Sequence, residues 1–229
     1  MNTPPPPEPN APGNASLPAD FIDNTRAGYN SVAAKYADTF FHELAHKPLD
    51  CELLTRLVSL VGNLGPICDM GCGPGQIARF LQDRGAQALG LDLSPGLIAE
   101  ARRLSPDIEF HTGNMLALEV PDSTWGGIAA FYSIIHLPEG RIADALREFW
   151  RVLRPGGRLL LSFHVGDKVF HRDDWWGQRV SLDFHFLAPE RIEASLHKIG
   201  FTLEESLVRH PYPTEYASRR AYLLARRPG

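Results

Sequence analysis

The sequence predicts an α/β protein with a doubly wound, mostly parallel, Rossmann-like sheet and helices on both of its faces. Short apolar runs alternate with amphipathic segments in the order β-α-β-α-β-α-β-α-β between residues 66 and 164. The first run leads into a glycine-rich turn at residues 69–75, and a helical pattern follows directly. Because parallel strands end at the same edge of a sheet, their following loops should share one crevice.

Composition narrows the class of protein. The 229 residues suffice for one domain with a sizeable core. The formal net charge is -4 without a basic stripe, which disfavours a nucleic-acid partner. No signal peptide is apparent, and no run approaches the roughly 20 apolar residues of a membrane span. The cysteines are an odd, sparse set that suits a reducing compartment. We therefore expect a cytoplasmic protein with neither a nucleic-acid nor a membrane partner.

The chain begins with a proline-rich stretch over residues 1–18, for which we expect a disordered tail. Residues 19–62 are predicted to form a helical lid over the sheet edge. One helical face is made by Tyr29, Val32, Ala33, Tyr36 and Phe40. Asn30 and Ser31 could cap a second helical piece, and a further helix is expected over 49–60.

The main domain is predicted from residue 63 to residue 229. Its strands are expected at 66–70, 88–93, 108–112, 125–132 and 158–164, and its intervening helices at 76–84, 95–104 and 140–153. Residues 154–157 (Arg-Pro-Gly-Gly) are expected to turn the chain into the last of these strands. A helix over 189–199 and strands over 201–207 and 221–225 complete the chain.

Residues 165–188 interrupt this alternation. Val180, Leu182, Phe184 and Phe186 alternate with polar residues, which is a half-buried strand pattern. We expect an insertion that covers the ligand edge of the sheet and could form a hairpin.

The glycine-rich turn differs from a dinucleotide-binding fingerprint. Glycines stand at 71, 73 and 75, but position 76 is Gln where the third fingerprint glycine would stand. Asp69 precedes the turn, where it would repel a pyrophosphate but suit a positively charged ligand. Asp92 lies 19 residues after Gly73, a distance at which a carboxylate can accept ribose hydroxyls. S-adenosylmethionine combines an adenosine with an ammonium and a sulfonium.

Several motifs together resemble the class I S-adenosylmethionine-dependent methyltransferases, and most of all the small-molecule enzymes with a ubiquinone/menaquinone C-methyltransferase-like domain. The motifs occur in family order and are Ile67–Gly75 (ICDMGCGPG), Ala88–Ser94 (ALGLDLS), Gly113–Met115 (GNM), Ala130–Pro138 (AFYSIIHLP) and Leu146–Phe163 (LREFWRVLRPGGRLLLSF). The segment Tyr29–Phe40 also resembles the helix that closes over the cofactor. The resemblance implies that S-adenosyl-L-methionine is the cofactor and that the enzyme methylates a small molecule.

The resemblance also implies which residues bind the cofactor. Asp69 and Gly71 would hold the methionine amino group, Asp92 the ribose, and Leu93 and Asn114 the adenine. The full set of expected cofactor residues is Tyr29, Tyr36, Asp69, Gly71, Gly73, Asp92, Leu93, Asn114, Met115, Tyr132 and Ser133. Tyr29 and Tyr36 could equally be core residues of a helical stripe, and Asn114 a turn residue.

Catalytic candidates are the two histidines that follow strands at the predicted ligand edge. His136 is the first candidate, as a general base or as a residue facing the substrate, and His164 is the second. A base is needed only if the nucleophile arrives protonated. The expected substrate-binding residues are His136, Trp175, Trp176 and His185. No metal site is expected, since His42, Glu43 and His46 lack the spacing of a zinc motif and suit a solvated helix face.

Two other functions remain open from the sequence. One is a non-catalytic module that binds S-adenosylmethionine without transferring a methyl group. The other is an NAD(P)-dependent oxidoreductase on a similar scaffold, against which Gln76 and Asp69 argue. The acceptor atom is left open.

Overall fold

The computed structural model describes residues 21–229, so the tail predicted at residues 1–18 lies outside the described residues. The strands are β1 (Ile67–Met70), β2 (Ala88–Asp92), β3 (Glu109–Thr112), β4 (Trp125–Phe131), β5 (Leu153–His164), β6 (Val169–Trp175), β7 (Gln178–His185), β8 (Thr202–Arg209) and β9 (Arg220–Arg226). The helices are α1 (Phe21–Phe40), α2 (Pro48–Val61), α3 (Gln76–Gln82), α4 (Pro95–Leu104), α5 (Glu139–Val152) and α6 (Pro189–Ile199). No helix within this part of the chain is long and apolar enough to cross a membrane.

Seven strands form the central sheet in the order β3-β2-β1-β4-β5-β9-β8. The first five strands of that order are parallel to one another, whereas β9 runs antiparallel to both β5 and β8. The predicted fold class, a mostly parallel and doubly wound sheet, is confirmed. The order β3-β2-β1-β4 reverses direction at β1, which places a ligand crevice beyond the carboxyl ends of β1 and β4.

Two details of the predicted elements are wrong. The alternation implied a helix between β3 and β4, but residues 113–124 hold only turns and an isolated bridge between Asn114 and Ala117. Gly113 and Pro121 confine that segment to a length too short for a stable helix. In addition, β5 starts at Leu153, because residues 154–157 form an irregular stretch within the strand, where the register against β4 shifts, and Gly156 N–H donates to Arg227 O at 2.8 Å.

The core lies on both faces of the sheet. Leu159 and Leu161 of β5 pack with residues of α5 and α6, whereas Leu160 between them packs with residues of α2 and α3. Alternate side chains of a strand point to opposite faces, so a strand buried on both faces is a continuous apolar run, as β4 and residues 159–161 of β5 are.

Helix α1 is one continuous helix, so the second helical piece expected from Asn30 is not formed. The Asn30 side chain instead reaches α4, where its Oδ1 accepts hydrogen bonds from Ser94 Oγ at 2.6 Å and Gly96 N at 2.8 Å. On its other side α1 packs against the antiparallel hairpin formed by β6 and β7. Gly28 makes this approach close, since a Cβ there would lie 2.9 Å from Leu182 Cδ2.

Candidate functional site

The turn after β1 brings the backbone close to neighbouring strands. Gly71 N–H and Cys72 N–H both donate to Leu91 O, at 2.7 and 3.1 Å. Gly71 has a φ of +74°, and a Cβ at this position would lie 2.3 Å from Ser133 Cβ. The position therefore requires glycine, both for its left-handed backbone and for the contact with the loop after β4.

Asp92 connects this turn to the end of β2. Its Oδ2 accepts from Gly73 N–H at 2.8 Å, and its Oδ1 accepts from Ser94 N–H at 2.8 Å. The residue is only 9% exposed, and this burial raises the pKa of its carboxyl group. Each oxygen can accept a further hydrogen bond, so a ligand with two hydroxyl donors suits this carboxylate.

Asp69 is a second buried carboxylate in the same wall. Its Oδ2 accepts from Ala78 N–H in α3 at 3.0 Å. Burial raises the pKa of Asp69 to about 8, the Ala78 hydrogen bond opposes this shift, and the charge of Asp92 adds to it. A positively charged group beside Asp69 would favour its ionised form.

These residues line one deep pocket at the carboxyl ends of β1, β2 and β4. The space between its walls, including the open mouth, amounts to about 1070 Å³. Every residue expected to bind the cofactor lies in its wall: Tyr29, Tyr36, Asp69, Gly71, Gly73, Asp92, Leu93, Asn114, Met115, Tyr132 and Ser133. His136 lies in the same wall. The structure thus brings together residues from α1 and from the ends of four different strands.

One polar group in the pocket was missed by the sequence analysis. Glu43 accepts hydrogen bonds from Lys47 Nζ at 2.7 Å and from Gln76 Nε2 at 3.1 Å. The predicted solvated face at residues 42–46 is correct only for the two histidines, which are exposed, because Glu43 is turned inward to the pocket. No local sequence pattern indicates that Glu43 faces the pocket, because its hydrogen bond with Gln76 forms only when the turn after α1 docks against α3.

Three buried polar atoms in the pocket wall have no hydrogen-bond partner within residues 21–229. They are Gln76 Oε1, Tyr132 Oη and Ser133 Oγ. Buried polar atoms are normally paired, so such atoms in a pocket indicate where a bound ligand supplies donors or acceptors. Together with Asp92 and the close-packed glycine turn, they fit a polar adenosine-type ligand such as S-adenosylmethionine.

His136 lies in the short 3-10 turn that follows β4. Its Nε2 is 2.8 Å from Tyr29 Oη, and its Nδ1 is 2.9 Å from the carbonyl oxygen of Asp183 in β7. Since the carbonyl can only accept, Nδ1 carries the proton and Nε2 accepts from the Tyr29 hydroxyl. Burial lowers the pKa of His136 to about 4, so the ring is neutral at physiological pH.

The other catalytic and substrate candidates stand outside the pocket wall. His164 pairs with Ser218 Oγ at 2.8 Å and stacks on Phe186, behind Tyr132. Trp175 packs edge-on against both Tyr29 and Tyr36, and Trp176 stacks on Trp175. His185 is half-buried at the open end of the hairpin, opposite Val169. The roles expected for these four residues stay predictions.

No cluster of three or more potential metal ligands occurs within residues 21–229. Cys68 and Cys72, the two cysteines nearest the turn, are free and buried, and burial raises the pKa of both thiols.

Comparisons with known proteins by family, by sequence and by structure all find similarity to methyltransferases. The family described as "Methyltransferase domain" matches residues 67–157. The chain is 28% identical over 175 residues to a malonyl-[acyl-carrier protein] O-methyltransferase of Enterobacter lignolyticus, covering 72% of this chain and 67% of that protein. It is 29% identical over 210 residues to a demethylmenaquinone methyltransferase of Thermus thermophilus, covering 79% of this chain and 94% of that protein.

The alignments with two other proteins named malonyl-[acyl-carrier protein] O-methyltransferase span 51% and 43% of their length. Among solved structures, the fold is similar to that of the magnesium protoporphyrin IX methyltransferase of Synechocystis, with a TM-score of 0.69 and 21% identity. That match covers 93% of this chain and 100% of the other.

Proposed function

The chain belongs to the class I S-adenosylmethionine-dependent methyltransferases, and from this premise we propose that it transfers a methyl group to a small-molecule acceptor by in-line displacement. The observation that supports this proposal best is the common pocket. Residues from α1, the glycine turn, the end of β2 and the loop after β4 all converge on it. Cofactor and acceptor would meet in the part of this pocket that Tyr29 and His136 border.

We propose that the cofactor is held along this pocket by charge and by close backbone approach. Asp92 would accept the ribose hydroxyls, while Asn114 and Met115 would contact the adenine. Asp69 would face the methionine ammonium from behind the glycine turn. Lys47, Glu43 and Gln76 line or adjoin the far end, where they would complement the methionine carboxylate and ammonium.

When bound, the cofactor supplies a methyl carbon that its sulfonium has already activated. The protein then has to orient the acceptor, exclude water and, where necessary, accept a proton. Tyr29 donates its hydroxyl hydrogen to His136 Nε2, which leaves its oxygen free to accept a proton from the acceptor. A proton would therefore pass from the acceptor to Tyr29 Oη as the tyrosine proton passes to His136.

The relatives' names point to different acceptors, one bound to an acyl carrier protein and one a quinone precursor. We propose a free or carrier-linked small molecule, with no nucleic-acid or membrane partner. A cytoplasmic location is also proposed, and it is supported by three cysteines that are all free.

Calorimetry with S-adenosylhomocysteine tests the cofactor site. Asp92→Ala should weaken its binding by about 1–3 kcal/mol, because charge-assisted hydrogen bonds to the ribose are lost. Asp38→Ala, which removes an exposed carboxylate from the outer face of α1, is the control and should leave the affinity unchanged. Unchanged binding in Asp92→Ala would exclude Asp92 from the site. Tight binding of NADH instead of S-adenosylhomocysteine by the wild-type protein would contradict the proposed function.

A further inference from the structure

Arg172 lies on the inner side of the hairpin and has no partner for its charge. Its Nε is buried and makes no hydrogen bond within residues 21–229, and no carboxylate in that range lies within 4.0 Å of its guanidinium. The side chain is partly buried between two aromatic rings, 5.6 Å from the Phe170 centroid and 4.9 Å from the Trp175 centroid. Burial lowers the pKa of Arg172, while Tyr29, Asp174 and Tyr216 act in the opposite direction.

This isolation is unusual within the part of the chain that the structure describes. The other arginines there that are not fully exposed each have a hydrogen-bond or ion-pair partner; they are Arg26, Arg79, Arg151, Arg154, Arg158, Arg209, Arg220, Arg226 and Arg227. Asp174 is the acidic neighbour of Arg172, but its Oδ1 accepts from Gly177 N–H in the hairpin turn. A buried N–H group without a hydrogen-bond partner is costly, and an anionic ligand that accepts from the Arg172 guanidinium would compensate this cost.

The position of Arg172 connects it to the reaction centre through one aromatic layer. The Trp175 and Tyr29 ring centroids are 5.8 Å apart. The Phe184 ring centroid is 6.0 Å from that of Trp175 and 4.8 Å from that of His136. Trp175 and Phe184 of the hairpin therefore form a short aromatic wall that connects Arg172 to the Tyr29–His136 pair. A ligand along this wall would present one end to the guanidinium and the other to the tyrosine hydroxyl.

We propose that Arg172 is a specificity residue that binds an anionic group of the methyl acceptor, so that the substrate class is small acids with an apolar or aromatic body. The inference rests on the proposed function, since it concerns the acceptor of that same reaction. The anion is a recognition group, separate from the atom that receives the methyl group. Carboxylate and phosphonate share the geometry that a guanidinium binds through two parallel hydrogen bonds.

Tryptophan fluorescence provides the test, because Trp175 lies directly beside Arg172. The wild-type protein, saturated with S-adenosylhomocysteine, is titrated with benzoate and phenylphosphonate and with uncharged benzamide. We expect at least one anion to bind about tenfold or more tightly than benzamide, and Arg172→Gln to abolish this preference. Arg172→Lys should retain part of it, since an ammonium keeps the charge but not the bidentate geometry.

Arg179→Gln is the matched control, because it removes an exposed arginine from the neighbouring strand of the same hairpin. It should bind the anions as the wild type does. Equal binding of anions and benzamide by the wild type, no anion binding at all, or full preference in Arg172→Gln would each overturn the inference. Calorimetry with S-adenosylhomocysteine on the same proteins distinguishes a failure of the inference about Arg172 from a failure of the proposed function. If the wild type did not bind S-adenosylhomocysteine, the proposed function itself would be contradicted.

Discussion

At the scale of single residues, Asp69 is a carboxyl group whose charge depends on the ligand. Burial raises its pKa to about 8, so it is largely protonated in the ligand-free protein at neutral pH. An ammonium placed beside it would favour ionisation and lower this pKa. Binding would then release a proton, so the affinity for S-adenosylhomocysteine should rise from about pH 6 to about pH 8 and level off above. Calorimetry at several pH values measures this slope.

Asp69→Asn is the variant that tests the assignment. It should remove the pH slope and weaken binding, whereas Asp38→Asn on the exposed face of α1 should keep both. The folded pKa of Asp69 lies above the unfolded value of 3.8, so the ligand-free protein loses stability as pH rises from about 4 to about 8. Asp69→Asn should therefore raise its melting temperature at pH 8, by about 2–4 °C for each kcal/mol regained. A slope that persists in the variant would assign the titration to another group.

The Tyr29–His136 hydrogen bond leads us to expect that turnover depends on pH differently from the cofactor affinity. Burial lowers the pKa of His136 to about 4, so its Nε2 is unprotonated at any pH well above that value. At saturating cofactor, kcat should not show the usual histidine titration near pH 6.5. Tyr29→Phe should lower kcat by about 10²- to 10⁴-fold for an acceptor that arrives protonated, because the proton path is broken.

An acceptor that arrives already deprotonated is the internal control for Tyr29→Phe. Its kcat should change far less, since no proton has to be removed from it. Equal losses for both kinds of acceptor would show that Tyr29 positions the ligands and does not carry a proton.

At the scale of elements, the docking of α1 depends on a side chain that looked like a helix cap in the sequence. Asn30 Oδ1 receives two hydrogen bonds from the start of α4, from Ser94 Oγ and Gly96 N. Asn30→Leu should leave both donors unpaired and weaken S-adenosylhomocysteine binding by about 1 kcal/mol or more, because Tyr29 and Tyr36 lie on this helix. Hydrogen exchange of α1 should accelerate in parallel.

Asn30→Asp is the rescue variant, since a carboxylate oxygen can accept the same two hydrogen bonds. Lys35→Leu, at an exposed position of the same helix, controls for a general effect on helix stability. Wild-type exchange and affinity in Asn30→Leu would mean that α1 is held by its apolar contacts with the hairpin alone.

At the scale of the whole molecule, a buried ionic network joins helix α2 to the antiparallel edge of the sheet. Arg209 of β8 pairs with Glu215 at 2.6 Å and with Asp50 of α2 at 3.2 Å, and Tyr222 of β9 donates to Asp50 at 2.6 Å. The Asp50 and Glu215 side chains are 1% and 5% exposed. Burial alone would raise the pKa of Glu215, but its bonds to Arg209 lower it overall.

Arg209→Met should destabilise the protein by about 3–5 kcal/mol, because it leaves the buried Asp50 carboxylate without its ion pair. It also leaves Glu215 with Arg220 alone, at 3.3 Å. Urea unfolding measures this loss. Arg56→Met, which removes an exposed ion pair with Glu205 between the same α2 and β8, should cost about 1 kcal/mol or less. Since the folded pKa of Glu215 is lowered, the stability it contributes should be lost as pH falls below about 4.5. If both variants lost a similar free energy of unfolding, burial of the network would contribute little to the stability of the protein.

The sequence by itself determined the strand-helix alternation, the glycine turn and the two acidic residues around it. These features depend on local periodicity and on short spacings such as that between Gly73 and Asp92. The alternation also implied a helix between β3 and β4 that is not formed, because the pattern of the neighbouring elements does not report how few residues Gly113 and Pro121 leave for one.

Only the tertiary structure decided how distant segments complete the site. Tyr29 and His136 are 107 residues apart, and Glu43 and Gln76 are 33 residues apart, yet each pair is hydrogen-bonded. Arg172 is one of several arginines in the sequence, and its isolation becomes visible only when the partners of all the others are known. Such contacts arise from the docking of α1 and the hairpin on the sheet edge. Contacts between distant segments produce no periodic pattern in the sequence of either segment, so the sequence alone does not predict them.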